Sequence, residues 1–454
     1  MTEASAPAPR GATIVDGPPT VPLVSDGYRK YALVVLLLVY TVNFLDRQVV
    51  TILAEPIKND LHIADWQIGL MTGFAFAVFY TVLGLPIARL AESFNRVWII
   101  GGSLTVWSGF TILCGQAGNF VQLVMARIGV GIGEAGCTPT SHSLIADYVP
   151  KEKRASALAF FSIGTPLGAL LGLTMGGVIA DIWGWRTAFL LAGLPGLILT
   201  VVVMLTLREP RKQIAADAVH HVPGKGHFAM TLKYLAGKRT FWLVAFAAAI
   251  KAFIGYGHAP FTASFFFRNH AEEVAQLAGM FGLKSAGFMG LALGLMGGTA
   301  GIISSWLGGW LADLAAKRDL RAYMSVPAIA SIVSPAIFIV AMLSESAAVA
   351  LLILVLPGLL GSLWYGPVYA SAQGLVPPHM RATSASIMLF IINMVGLGLG
   401  PLAVGILSDT LAGLMGLGSA EGVRWALIIS SMFGLVAFAL FWLARKSIRE
   451  EMVS

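Results

Sequence analysis

Apolar residues in this chain come in long runs broken by short polar punctuation. The runs cover 31–53, 67–90, 97–116, 119–147, 154–181, 187–207, 240–267, 285–313, 322–343, 347–373, 382–408 and 423–444. Each matches the roughly 20 helical residues that cross the hydrocarbon core of a bilayer. The pattern lacks the period-two alternation of barrel strands, and in lipid only a helix or a closed barrel satisfies its own backbone. The expected fold class is therefore an all-α polytopic membrane protein with twelve transmembrane helices.

The polar segments predict the organisation. Residues 1–29, rich in Ala, Pro, Gly and Thr without hydrophobic period, read as a disordered tail, and 445–454 as a short C-terminal tail. The charged stretch 208–239 is the one long connection and separates a six-helix bundle over 30–207 from a second over 240–444. Lys and Arg concentrate in the loops on the side of the two termini, while the opposite loops hold Lys58, Arg186, Arg268, Lys284 and Arg424. This asymmetry predicts cytoplasmic termini, a cytoplasmic linker and a multi-pass protein of the inner (plasma) membrane.

Composition removes whole classes of function. With 57% apolar and 12% charged residues among 454, a water-soluble enzyme is excluded. The net charge of +7 reads as loop excess rather than a nucleic-acid surface. Cys114 and Cys137 lie in apolar runs, which excludes a disulfide framework. No phosphate-cradling loop and no metal-ligand spacing is found, so neither an enzyme nor a cofactor is expected. A passive lipid-translocating protein or channel would need a continuous polar stripe, which the apolar helices do not supply.

The two halves repeat. The segment ARLAESFNR (88–96) matches GGWLADLAAKR (308–318); Pro150, Arg154, Ala155 and Ser156 match Pro377, Arg381, Ala382 and Thr383; and Ala180-Asp181 matches Ser408-Asp409. A parallel duplication of six helices places a binding site between the halves, as alternating access requires. Glu92 and Arg96, with Asp313 and Lys317 in the second copy, form a candidate cytoplasmic gate.

Ionisable residues in mid-span are functional candidates, since Asp or Arg there costs about 2.5–3.5 kcal/mol even on insertion scales. Asp46 and Arg47 lie in the first run, Arg127 and Glu134 in the fourth. Arg127 and Glu134 are two turns, or about 10 Å, apart on one face, with Gly131 between them leaving space. Asp46 is the expected partner of Arg127, and Asp46, Arg127 and Glu134 are the candidate proton-coupling residues. The role of Arg47 is not readable. It joins His142, Tyr256, His258, Trp364, Tyr365 and Tyr369 as a candidate substrate contact, the Gly and Pro positions of the seventh and tenth runs being expected to bend there.

These segments resemble the major facilitator superfamily along almost the whole chain. The gate segments follow its loop signature, with Leu90, Ala91 and Arg96 in the first copy and Gly309, Leu311, Ala312 and Asp313 in the second, and RIGVGIGEAG (127–136) follows its fourth-helix motif. Gly164-Thr165-Pro166-Leu167-Gly168 lacks the adjacent Gly-Pro pair of antiporters, so exchange is not read from it. Within the superfamily, NFLDRQVVTILAEPIKNDL (43–61) and RIGVGIGEAGCTPTSHSLIADYVP (127–150) resemble the spinster group. That resemblance implies a monomeric, proton-coupled transporter whose partners are protons and a small lysolipid or sphingolipid-like amphiphile within the lipid bilayer. The Asn-Phe-Leu-Asp-Arg run also resembles relatives that carry organic acids.

Overall fold

The computed structural model describes residues 25–150, 153–210 and 227–453. Among them are twelve helices long and apolar enough to cross a membrane, and no strand. They are α1 (Asp26–Ile52), α2 (Asp65–Ala91), α3 (Arg96–Gly115), α4 (Phe120–Tyr148), α5 (Ser156–Trp183) and α6 (Trp185–Thr206). The second half holds α7 (Arg239–Asn269), α8 (Ser285–Ala316), α9 (Ala322–Met342), α10 (Ala347–Gly374), α11 (Pro378–Gly413) and α12 (Gly418–Glu451).

Local chemistry sets where helices begin and turn. The Asn95 side chain accepts from the Val97 and Trp98 N–H groups at the start of α3, and Asn119 accepts from Gln122 N–H at the start of α4. Each satisfies donors that the first helical turn leaves unpaired. Gly184, at φ +84°, reverses the chain between α5 and α6 in a conformation other residues resist. The duplication is visible in the connections: a short helix, Ala54–Leu61, follows α1, and another, Ala271–Met280, follows α7.

Within the first half α1 packs on α5 and α3 on α6; within the second, α7 packs on α11 and α12. The halves meet along two seams, α5 with α8 and α2 with α11. A π-helical turn in α2 (Leu70–Phe74) contacts one in α11 (Ile392–Leu399) across the second seam.

The ends depart from the expected tails. Residues 1–24 lie outside the described residues, but α1 begins at Asp26, where Tyr28 Oη donates to the Thr206 carbonyl at 3.0 Å and Arg29 Nε to the Tyr148 carbonyl at 2.9 Å. At the other end α12 continues to Glu451, whose carboxylate accepts from Thr240 N–H at 3.0 Å, while Arg449 pairs with Asp319 at 2.8 Å. Hydropathy marks only the lipid-immersed length, whereas polar anchoring carries the helices further. The linker likewise includes the helix His227–Ala236, held where Trp242 Nε1 donates to the Leu235 carbonyl at 2.9 Å; residues 211–226 lie outside the described residues.

Gly255, Gly257 and Pro260 lie within α7, a continuous helix of 31 residues, and Gly257 admits the backbone of Gly400 on α11. The tenth span does break, at Ser362–Trp364.

Candidate functional site

Four helices of the first half converge on buried charge. Asp46, Arg127 and Glu134 are each at most 1% exposed. Arg47 Nε on α1 donates to Glu134 Oε2 on α4 at 2.5 Å, forming an ion pair. Asp46 turns to α3, where Thr111 Oγ1 donates to its Oδ2 at 2.7 Å. This corrects the expected Asp46–Arg127 pair. Successive residues on a helix point about 100° apart, so α1 presents Arg47 to Glu134 and Asp46 to Thr111.

Arg127 Nε and Nη1 have no hydrogen-bond partner, and its guanidinium lies 5.2 Å from the Phe76 ring centre. The same ring lies 5.0 Å from the Arg47 guanidinium, which also sits 4.4 Å from Tyr80. Aromatic faces thus replace part of the hydration both cations lose. Gly131 does not leave space, contrary to expectation. A Cβ there would stand 2.7 Å from the Phe76 carbonyl oxygen, so this glycine lets α4 press against α2.

The group carries two acids and two guanidiniums, and its hydrogen bonding is incomplete. Among the described residues, Asp46 Oδ1 and Glu134 Oε1 accept no hydrogen bond of good geometry, and the Asn43 side chain beside Glu134 makes none. Buried polar atoms are normally satisfied, and unmet ones mark sites able to bind protons or water. Arg47 and Arg127 front a cavity of about 50 Å³ shared with Tyr256 of α7 and Pro401 of α11, so the charges abut the space between the halves. Asp46 and Glu134 are not among its lining residues.

The remaining candidates divide. His142 is exposed, its ring 5.3 Å from Phe161, which stacks on Tyr40 at 4.3 Å. Tyr365 stacks on Trp364 at 4.0 Å and lies 6.4 Å from Tyr369, but Trp364 is 2% exposed and serves packing. His258 is remote from the α1–α4 charges: its Nε2 shares a hydrogen bond with Ser430 Oγ at 3.0 Å and its ring stacks on Phe338 within the second half.

The end remote from the chain termini is closed by groups that sequence reasoning assigned no role. Arg268 on α7 donates to Asp65 on α2 at 2.8 Å and to Glu55 at 2.6 Å, while Lys58 pairs with Asp65 at 2.6 Å. Asp181 at the end of α5 accepts from Gly287 N–H at 2.6 Å, and Asp409 at the end of α11 from Trp66 N–H at 2.7 Å. The repeat-matched positions of the two aspartates were the available signal; the cross-half partners depend on tertiary contact. From this end the seam opens progressively. A Cβ at Gly290 would strike the Leu173 carbonyl, one at Gly298 would meet Pro166 O at 3.5 Å, and one at Gly301 nothing within 4 Å.

At the terminal end the candidate gate is held within each half. Arg96 pairs with Asp147 at 2.7 Å and Glu209 at 2.5 Å, and Asp313 accepts from Tyr323 Oη at 2.8 Å. Lys317 is exposed, and the side chain of Glu92 lies outside the described residues.

Two bundles closed at one end around buried charge are matched by a family model, described as Major Facilitator Superfamily, over residues 36–401. The chain belongs to the major facilitator superfamily. Among solved members, a bacterial homologue of the human lysosomal transporter spinster, in an inward-facing and unoccupied conformation, superposes with a TM-score of 0.85 at 30% identity, covering 95% of this chain and 100% of that one. An MFS-type efflux pump of Mycolicibacterium smegmatis is 33% identical over 92% of this chain and 93% of its own. A probable galactarate/D-glucarate transporter of Bacillus subtilis is 27% identical over 70% of this chain and 72% of its own. Spinster-like facilitator architecture and membership of a transporter family are thereby established.

Proposed function

We propose that this protein is a proton-coupled secondary transporter of single-chain amphiphiles, lysolipid or sphingolipid-like, working by alternating access as a monomer. The observation that carries the reading is the Arg47–Glu134 ion pair, buried beside Asp46 at the wall between the halves. A proton on Glu134 cancels its attraction for Arg47 and frees that guanidinium towards the inter-half space. An acid that gains or loses a proton as its access alternates is the element coupling requires. With the termini cytoplasmic, as the basic loops indicate, the open end of the structure faces the cytoplasm.

The cargo reading rests on the wall chemistry. Arg47 and Arg127 offer cations while Phe44, Phe76, Tyr256 and Leu397 offer apolar and aromatic surface, a combination suited to an acidic head on a hydrocarbon chain. Each buried CH₂ contributes about 0.8 kcal/mol, so affinity should rise with chain length until the space is filled. A second reading, a small organic anion as cargo, is favoured by the paired arginines and by the likeness to the sugar-acid transporter. Reconstitution into vesicles with an imposed pH gradient, comparing lysolipids of increasing chain length with a small dicarboxylate, tests both. Gradient-driven flux of the lysolipids with rising affinity supports the amphiphile; saturable flux of the dicarboxylate alone transfers the conclusion to the second reading.

A further inference from the structure

The second half holds a cleft of its own, about 250 Å³, lined by α7, α8, α9, α10 and α12 and open on one side. Its walls are largely apolar, yet Lys251 of α7 lines it at 7% exposure. Among the described residues no acid pairs with Lys251 and no hydrogen bond engages it, unlike Arg47, which is paired with Glu134. The other polar groups on the wall are nearly spent. His258 shares its Nε2 with Ser430, Thr262 donates to the His258 carbonyl at 2.9 Å, and Ser431 donates to the Ile428 carbonyl at 2.7 Å. Lys251 and the Ser334 hydroxyl are left as the donors facing the space.

A lone ammonium in an apolar chamber lacks the counter-charge that buried ions otherwise carry. The chamber has room for that counter-charge to be a ligand: a Cβ placed at Gly255, Gly297 or Gly361, all on its wall, would meet nothing within 4 Å. We propose that this cavity is an oxyanion-binding site, taking a carboxylate or phosphate group with Lys251 as its counter-ion and Ser334 as a second donor. The oxyanion is either the head of a single-chain amphiphile, which would deepen the cargo reading above, or a free small acid. The site itself depends on neither source.

The test uses the full chain purified in an uncharged detergent, with calorimetric binding of dodecanoate, dodecanol, acetate and inorganic phosphate. Wild-type protein is expected to prefer dodecanoate over dodecanol by about tenfold or more, and Lys251→Met to abolish that preference while Lys251→Arg retains it. If acetate and phosphate bind as well as dodecanoate and are lost in the same variant, the ligand is a free anion; if only the long-chain acid shows the loss, it is a lipid head. Either pattern supports the site. Should Lys251→Met fail to fold, Gly255→Leu keeps the lysine and fills the chamber, and the same loss is expected. Equal dodecanoate affinity in wild type and in whichever variant folds overturns the proposal. Because binding is read without a pH gradient, a failed coupling scheme leaves this result intact and the reverse also holds.

Discussion

Asp181 and Asp409 perform the same task in the two halves. Asp181, ending α5, accepts the backbone N–H groups of Ala286 and Gly287 at the start of α8; Asp409, ending α11, accepts those of Asp65 and Trp66 at the start of α2. Each half thereby uses a carboxylate to cap a helix of the other, where the helix dipole and unpaired donors favour negative charge.

Those caps hold in the state closed at the end remote from the termini, so removing them should weaken that state selectively. Each cap is worth about 1 kcal/mol, or roughly a fivefold shift in population. Asp181→Ala and Asp409→Ala should raise the share of molecules open at that end, read as distances between spin labels on the loops after α1 and α7. Unchanged distances in the cap variants would reduce both aspartates to static supports.

Coupling should fail when either buried acid loses its charge. Glu134→Gln and Asp46→Asn are expected to abolish flux driven by a pH gradient in vesicles while the protein stays folded. Wild-type flux in either variant would remove that residue from the coupling scheme.

The pairing of Arg47 with Glu134 reverses the ranking that the sequence alone implies for the two arginines. Arg47→Ala strips a fully buried carboxylate of its partner, a change that costs about 3–5 kcal/mol. Arg127→Ala removes a guanidinium that holds no such bond and should cost less. Thermal unfolding in detergent ranks them, and an equal or opposite order would contradict the pairing.

Gly131 offers a test of packing free of charge. Gly131→Val places side-chain carbon against the Phe76 backbone, where only movement of α2 away from α4 can make room. Overpacking of this kind costs about 1–3 kcal/mol and should lower the unfolding temperature without an effect confined to one pH range.

Glu273 gives a pH-dependent prediction outside the membrane. Its carboxylate is held below the usual range by the Ser346 hydroxyl at 2.6 Å and then by the Ala347 N–H at 2.6 Å, at the start of α10. The unfolded chain binds this proton more readily, so the stabilisation is complete above pH of about 4.5 and disappears as pH falls through the lowered folded value. Being partly exposed, it contributes less than about 1 kcal/mol. Glu273→Gln should therefore lower the unfolding temperature slightly at pH 7, and by progressively less as the pH falls below about 4.

Much of this architecture is legible in the chain because lipid imposes it. A run of apolar residues near 20 long has one structural solution, and all twelve were readable from length alone. The buried acids and arginines were legible for the same reason, since each stands out against its solvent. Their partners were not. Whether α1 presents Asp46 or Arg47 to the charges of α4 depends on the rotation of α1 against α4, and hydropathy is blind to rotation when every face of a helix is apolar. The closure by Arg268, Glu55 and Asp65 was hidden differently: these residues sit at span ends, where charge is ordinary, and only the fold brings them together. Gly131 misled because an absent side chain signals either room or contact, and only the neighbour decides.

The α5–α8 seam has a mechanical consequence. At Gly177 and Gly290 the facing partner is a main-chain carbonyl, that of Ala286 and of Leu173, rather than an interlocking side chain. Surfaces that mesh like gear teeth must lift apart before they turn. At these two positions the bundles bear on each other as a smooth journal, where one can roll against the other at nearly constant separation, and the tolerance of the bearing there is fixed by backbone that no rotamer can adjust.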